Sequence, residues 1–200
     1  ICVGLNYRKH AAEMGRPLPP EPMIFLKPDS ALLKKNKPFF LPDFSKNLQF
    51  EAEVVLRISR LGKGISAKYA NRYYDALTVG IDFTARDLQH KFSQSGHPWE
   101  LSKTFDGSAP LGTFIPAERF ADHSDVSFSL EVNGETRQEG NTSDLIFSFA
   151  DIIEFVSSYY TLKTGDLIFT GTPSGVGQVK KGDNLVARLA GETVLDFFVR

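Results

Sequence analysis

The chain has 200 residues, a formal net charge of −1 and 42% hydrophobic residues, which is typical of one globular domain with its own core. The basic residues are dispersed, so nucleic-acid binding is not predicted. No apolar run approaches the roughly 20 residues of a membrane span. The single cysteine, Cys2, excludes an intramolecular disulfide and favours a reducing, cytoplasmic compartment. We expect one domain over 1–200.

The first segment is predicted to be a short strand, since Ile1–Val3 is apolar and Gly4 ends it. Cys2 is interpreted as a small core residue. There is no signal or transit pattern, and because the chain begins inside a strand we expect native residues before Ile1.

A brief helix is predicted next, on which His10 and Glu13 are three residues apart and share a face. Such a pair acts either as an acid/base dyad or as a solvated surface pair, and the spacing leaves both open. Several prolines follow, so we expect residues 1–22 to include a mobile segment. Lys27, after the apolar run 23–26, either faces a site or extends to water.

Two apolar runs carry three carboxylates. The run 50–58 is predicted to be a strand in which Glu51 and Glu53 project from one face, about 7 Å apart. A second run, 77–83, carries Asp82, which is costly to bury unless it is paired or bound to metal. Glu-x-Glu on a polar strand face is the alternative. Together the three acids form a hard oxygen site of the kind that Mg²⁺ or Mn²⁺ prefers.

Helices are predicted on both sides of Asp82. The segment Ala67–Ala76 is interpreted as a helix whose tyrosines belong to the core. A second helix is predicted to be capped by Thr84 and to carry Arg86 and Gln89, which either reach back towards the acids or are solvated. Lys103 is a candidate cation near the acidic cluster.

The second half contains the clearest local signals. Asn133-Gly134 predicts a hairpin over 127–138, and Ser148–Leu162 is predicted to be a helix with a capping box and an apolar stripe. The Gly-rich loop 171–177 matches neither a Walker P-loop nor a dinucleotide fingerprint. Its N–H groups and the Thr172 hydroxyl could hold a carboxylate, or the loop is a plain turn.

Seven motifs occur in order along the whole chain and together resemble the fumarylacetoacetate hydrolase superfamily. The similarity is greatest to the small single-domain branch that includes the mitochondrial acylpyruvate hydrolase and oxaloacetate decarboxylase and their bacterial relatives. The motifs are Val3-Gly4-Leu5-Asn6-Tyr7 with His10-x-x-Glu13, Phe25-Leu26-Lys27-Pro28, Glu51-Ala-Glu53, Gly80-Ile81-Asp82 with Ala85-Arg86-Asp87, Lys103-x-Phe105-Asp106, Asn133-Gly134, and Thr170-Gly171-Thr172-Pro173-x-Gly175-Val176-Gly177.

The resemblance implies a β-rich α+β fold, with a mixed sheet rolled into a barrel-like sandwich and small flanking helices. It also implies a homodimer and a lid that orders over the substrate. Its implied site consists of Glu51, Glu53 and Asp82 as Mg²⁺ or Mn²⁺ ligands, His10, Glu13 and Lys103 as catalytic residues, and Arg86, Gln89 and Thr172 as substrate-binding residues.

The ligand set predicts chemistry on a small 2-keto acid. Breaking the bond beyond C3 leaves pyruvate enolate, whose charge the metal and Lys103 would stabilise. Acylpyruvate C–C hydrolysis, of the fumarylpyruvate or acetylpyruvate type, and oxaloacetate decarboxylation share this enolate. An isomerase or tautomerase of oxaloacetate or of 2-oxo/2-hydroxy-dienoates, and a catalytically silent binding module, are the alternatives.

Overall fold

Short strands dominate the secondary structure. The computed structural model describes residues 1–200 and contains fifteen strands against three α-helices. The strands are β1 (Cys2–Gly4), β2 (Met23–Phe25), β3 (Leu32–Leu33), β4 (Leu48–Phe50), β5 (Ala52–Ile58), β6 (Tyr74–Ile81), β7 (Thr84–Ala85), β8 (Ala109–Pro110), β9 (Ile115–Pro116), β10 (Ser127–Val132), β11 (Glu135–Asn141), β12 (Leu167–Phe169), β13 (Gly177–Gln178), β14 (Asn184–Leu189) and β15 (Glu192–Phe198). The helices are α1 (Arg8–Glu13), α2 (Arg86–Gln94) and α3 (Phe149–Tyr159). None of them combines the length and apolar character that a membrane-crossing helix requires.

The strands form four sheets. A mixed six-stranded sheet has the order β2-β1-β12-β5-β6-β9, and a four-stranded antiparallel sheet has the order β11-β10-β14-β15. Two small sheets, β13-β4-β7 and β3-β8, complete the set. The predicted α+β, β-rich class is confirmed. The barrel-like description is too strong, because the strand orders are open and no sheet closes on itself.

The antiparallel pair β5 and β6 positions the acids. Glu53 lies opposite Gly80, and Ala52 lies opposite Ile81, so Glu51 and Asp82 meet where the pair ends. The Asp82 N–H donates to the Glu51 carbonyl at 2.8 Å. The predicted strand over 50–58 is interrupted at Glu51, since β4 ends at Phe50 and turns to pair with β7 and β13.

The core lies on both faces of the six-stranded sheet. Val54 and Leu56 belong to the main hydrophobic cluster, whereas Val55 points the other way into a smaller cluster with Cys2 and Phe169. This alternation follows from the two-residue period of a strand. Cys2 is buried as predicted, and burial raises the pKa of its thiol to about 12.

Two predicted helix features are wrong. Residues Ala67–Arg72 form only a 3-10 helix, because Tyr74 already pairs with Ile58 in the β5/β6 ladder. Tyr69 is 43% exposed and is not a core residue. Thr84 does not cap α2: it lies in β7, and its hydroxyl donates to the Asp82 carbonyl.

The two strongest local predictions are confirmed. Asn133 and Gly134 connect β10 to β11 with φ of 55° and 80°, the positive values that a tight hairpin turn requires. Helix α3 begins after Ser148 with the predicted capping box. Its predicted apolar stripe is too long, since Tyr159 is 65% exposed.

Candidate metal and substrate site

One cavity of about 230 Å³ brings together eight of the nine residues predicted to form the site. The ninth, Glu13, hydrogen-bonds to the lining residue His10. The lining residues that were predicted are His10, Glu51, Glu53, Asp82, Arg86, Gln89, Lys103 and Thr172.

The three carboxylates form the floor of this cavity. Each of Glu51, Glu53 and Asp82 is at least 95% buried. One oxygen from each lies within 4.8 Å of the others. The acids come from the end of β5/β6 and from the residues adjoining it, in the middle of the largest sheet.

Two basic side chains contact the floor from the cavity side. The Lys103 ammonium donates to Glu51 Oε2 at 2.7 Å and to Asp82 Oδ2 at 2.5 Å. The Arg86 guanidinium donates to Glu51 Oε1. Both basic side chains are themselves buried. Lys103 is thus placed at the acidic cluster as predicted.

A third cation, Lys27, supports the floor. Its ammonium lies 2.9 Å from Asp82 Oδ1. It donates to the hydroxyl of Ser108 at 2.9 Å and to the Lys103 carbonyl. The Lys27 side chain is only 4% exposed, so it faces the site and does not extend to water.

Glu53 is the one floor acid without a cationic partner. Its Oε2 accepts a hydrogen bond from the Gly171 N–H at 2.7 Å. Burial, followed by the Asp82 and Glu51 charges, raises the pKa of Glu53 well above its ordinary value. The Gly-rich loop therefore holds a carboxylate, but one of the protein itself.

Gly171 reaches Glu53 because it lacks a side chain. Its φ is +107°, and a Cβ there would lie 2.6 Å from Asn6 Cβ. Only glycine adopts this conformation without strain.

Glu51 and Lys103 are held in their charged forms by each other. Burial opposes ionisation of Glu51, but the charges of Lys103 and Arg86 outweigh it and lower the pKa of Glu51. Burial likewise opposes the charge of Lys103, but the Asp82 and Glu51 carboxylates raise its pKa. The negative charge of the floor is therefore compensated at Glu51 and left over at Glu53.

The floor residues fit a divalent cation. Asp82 Oδ1 is fully buried and has no hydrogen-bond donor, since Lys27 approaches it without hydrogen-bonding geometry. Glu53 contributes a second carboxylate and, unlike Asp82, it forms no ion pair. Carboxylate oxygens are the donors that Mg²⁺ and Mn²⁺ prefer.

The predicted pair on α1 is formed and reaches the cavity. His10 Nδ1 lies 3.3 Å from Glu13 Oε2, and the His10 side chain is 5% exposed. Glu13 Oε1 also accepts from the Gly175 N–H at 3.4 Å, which connects α1 to the Gly-rich loop. With Nδ1 donating to Glu13, Nε2 is left as the basic nitrogen.

Arg86 and Gln89 lie on one face of α2 and contact each other. Arg86 Nη1 donates to Gln89 Oε1 at 2.5 Å, and Arg86 Nε donates to Gln49 Oε1 at 2.8 Å. Both residues therefore reach back towards the acids. This was one of the two alternatives predicted from the sequence, the other being that they are solvated.

Two supporting residues were not identified from the sequence. Asn6 is fully buried and bonds the Thr170 carbonyl at 2.8 Å and both backbone groups of Phe147, which places the loop beside Glu53. Gln138 accepts from the Ala52 N–H and donates to the Thr172 hydroxyl, both at 2.9 Å. Asn6 stands inside a recognised motif, whereas no sequence signal marks Gln138.

A family model and a curated relative match almost the whole chain. The family model described as fumarylacetoacetate (FAA) hydrolase C-terminal matches residues 1–199. The chain is 40% identical over 199 residues to the mitochondrial oxaloacetate tautomerase FAHD1 of Bos taurus, covering 100% of this chain and 90% of that protein.

Two solved structures are similar over nearly the whole chain. The fumarylpyruvate hydrolase of Pseudomonas aeruginosa in complex with Mn²⁺ and pyruvate has a TM-score of 0.93 and 37% identity, covering 99% of this chain and 87% of that one. The 5-carboxymethyl-2-hydroxymuconate delta-isomerase of Mycobacterium smegmatis has a TM-score of 0.88 and 38% identity, covering 99% and 76%.

Proposed function

Because the chain belongs to the fumarylacetoacetate hydrolase family, as the match over residues 1–199 establishes, we propose that it is a divalent-metal-dependent enzyme that generates the enolate of a small 2-keto acid. Its reaction is the hydrolysis of the C–C bond of an acylpyruvate, the decarboxylation of oxaloacetate, or both. The observation that carries this proposal is the meeting of three buried carboxylates, Lys103 and the His10–Glu13 pair around one cavity.

Glu51, Glu53 and Asp82 would hold the metal. When bound, Mg²⁺ or Mn²⁺ supplies Lewis-acid polarisation of a carbonyl oxygen. Lys103 keeps a full positive charge at the floor, where it stabilises negative charge developing on the substrate. Arg86, supported by Gln89, offers a buried guanidinium to a carboxylate, for which its planar donors are well matched.

The His10–Glu13 pair favours hydrolysis over decarboxylation. Glu13 orients the ring through Nδ1, so Nε2 can take a proton from water. Hydrolysis of an acylpyruvate needs such a base, whereas loss of CO₂ does not require an attacking water. The similarity to a fumarylpyruvate hydrolase structure supports the same reading.

Tautomerisation of oxaloacetate is the second candidate. It is favoured by the relative named oxaloacetate tautomerase at 40% identity and by the solved delta-isomerase at 38%. Such a reaction uses the same floor and a proton shuttle, but no attacking water. The floor therefore supports both candidates, and the role of His10 separates them.

The test is to measure pyruvate release from acetylpyruvate and oxaloacetate, and enol–keto interconversion of oxaloacetate, with Mg²⁺ or Mn²⁺ and with chelator. We expect metal-dependent turnover. His10→Ala should lower hydrolysis by about 10²–10⁴-fold, and His97→Ala, which alters an exposed histidine outside the cavity, is the matched control.

His10→Ala could retain enol–keto interconversion of oxaloacetate but lose pyruvate release from acetylpyruvate. That result would support hydrolysis as a reaction of the wild type and would show that the enolate step does not require His10. If the wild type interconverts oxaloacetate without releasing pyruvate from either substrate, the tautomerase candidate replaces the hydrolase. No metal-dependent turnover in any assay, with metal binding demonstrated, contradicts the proposal.

We also propose that residues 1–22 of this single domain include a segment that acts as a lid. Helix α1 carries His10 to the cavity, and the segment after it is largely exposed. Amide hydrogen exchange should slow in this segment when metal and pyruvate are added together, and unchanged exchange would contradict a lid.

A homodimer is proposed from the family resemblance. Large apolar side chains remain exposed in the single chain, with Phe40 and Leu101 each 70% exposed and Phe44 51% exposed. Sedimentation equilibrium should give twice the chain mass, and a monomer at micromolar concentration would contradict this proposal.

A further inference from the structure

Two basic side chains at the mouth of the cavity have no partner. Arg16, just after α1, and His90, on α2, both line the cavity and are exposed. Neither side chain forms an ion pair or a hydrogen bond within the chain, whereas Arg86 and Lys103 beside the floor each form an ion pair with Glu51. The mouth therefore offers donors that the floor chemistry does not use.

Helix α2 connects the floor to the mouth along one face. Arg86, Gln89, His90 and Ser93 follow the spacing i, i+3, i+4, i+7, and all four line the cavity. Arg86 is buried against Glu51, Gln89 is half-buried, and His90 and Ser93 are exposed. A ligand extending from the floor along this face meets polar groups throughout.

The charge of the lining changes along the same path. Its only acids are the buried Glu51, Glu53 and Asp82. The exposed lining residues are Arg16, Met23, His90 and Ser93, none of which is acidic. An arginine is always protonated and binds a carboxylate through two parallel hydrogen bonds. The mouth is therefore suited to an anionic group.

We propose that Arg16 and His90 are specificity residues that bind the distal carboxylate of a 2-keto dicarboxylic acid while its 2-keto acid end lies on the floor. This inference rests on the proposed function for the floor end only. It predicts that the chain distinguishes substrates that end in a carboxylate from those of equal length that end in a methyl group.

The test is binding to the Mn²⁺-loaded protein, measured by isothermal titration calorimetry with pairs of matched chain length. The pairs are 2-oxoglutarate with 2-oxopentanoate, 2-oxoadipate with 2-oxohexanoate, and 2-oxopimelate with 2-oxoheptanoate. For the pair of the right length we expect the dicarboxylate to bind about tenfold more tightly, the order expected of a charge-assisted contact that is partly exposed.

Arg16→Gln and His90→Asn should each reduce that preference and leave the affinity for the monocarboxylic ligand unchanged. Arg8→Gln, which removes a charge from an exposed residue of α1 outside the cavity, should leave the preference intact. Both altered side chains are exposed, so we expect the variants to fold like the wild type.

Equal affinity for the two members of every pair would overturn the subsite, as would a preference that survives Arg16→Gln. In either case binding of the monocarboxylic ligands would still support the floor. If no 2-keto acid binds, the subsite and the proposed function both fail. A preference that Arg16→Gln abolishes supports the subsite even when no substrate is turned over.

Discussion

Glu53→Gln should stabilise the metal-free protein while abolishing its response to metal. Glu53 is buried, has no cationic partner and receives one hydrogen bond, from Gly171. Glutamine has nearly the same shape, and its amide oxygen can accept that hydrogen bond. The substitution therefore removes the charge and keeps the packing.

The size of the effect follows from proton linkage. The pKa of Glu53 is raised above its ordinary 4.5. At pH 7 the folded chain must either bind a proton or bury an uncompensated charge. Holding a proton from pH 4.5 to pH 7 costs at most about 3.4 kcal/mol, at about 1.36 kcal/mol per pH unit. For a chain of this size, 1 kcal/mol shifts Tm by roughly 2–4 °C.

The direction of the Glu53 pKa shift determines how the stability of the metal-free protein depends on pH. The raised pKa means that the folded state holds more protons than the unfolded state above about pH 4.5, so wild-type stability falls as the pH rises towards the folded pKa. Tm measured with chelator should be nearly equal for the two proteins at pH 4.5 and higher for Glu53→Gln at pH 7. Saturating Mn²⁺ should raise Tm of the wild type only.

Glu51→Gln is the matched control, and its expected effect has the opposite sign. Glu51 accepts from Lys103 and Arg86, so removing its charge leaves two buried cations short of a partner and should destabilise the metal-free chain by about 3 kcal/mol. If Glu53→Gln destabilises the metal-free protein at pH 7 as Glu51→Gln does, the assignment of the uncompensated charge to Glu53 is refuted.

Three further results are expected. Because the raised pKa of Glu53 favours its protonated form in the metal-free chain, Mn²⁺ binding at pH 6 should release protons, measured by calorimetry in buffers of different ionisation enthalpy; zero release contradicts the raised pKa. Asn6→Ala should cost about 2–4 kcal/mol in urea unfolding, since it removes the partner of the buried Thr170 carbonyl and of two part-buried backbone groups of Phe147; a loss under 1 kcal/mol would mean that water replaces the amide. Lys27→Met should destabilise by about 3–5 kcal/mol by the same assay, because Asp82 loses a buried cation, and an unchanged midpoint would show that Lys103 alone suffices.

The acids were predictable because strand periodicity is local. Alternation along 50–58 places Glu51 and Glu53 on one side, and burial of 77–83 makes Asp82 expensive unless it has a partner. The break in the strand at Glu51 was not predictable, since it arises where β4 pairs with β7 and β13, both distant in sequence. Even so, the break leaves the three carboxylates together.

The supporting residues depend on contacts that no local pattern encodes. Lys27 and Asp82 are 55 positions apart, and the orientation of Lys27 is settled by the carbonyls around it. Gln138 contacts Ala52 only because the middle of β11 lies beside the start of β5. The same dependence explains the error at 67–76, where pairing of Tyr74 with Ile58 overrides a helical pattern.

The floor and the segments above it are supported differently, and this difference bears on the reaction. The floor acids are buried in the largest sheet and held by Lys27, Lys103 and the Gly171 amide. His10 reaches the same cavity on a six-residue helix, whose side-chain link to the Gly-rich loop is the 3.4 Å contact of the partly exposed Glu13. A shift of α1 would therefore move the base without disturbing the floor. Under the proposed function, enolate stabilisation depends on the sheet and water activation depends on α1, so a change confined to α1 would alter the bond that is broken without altering the enolate step.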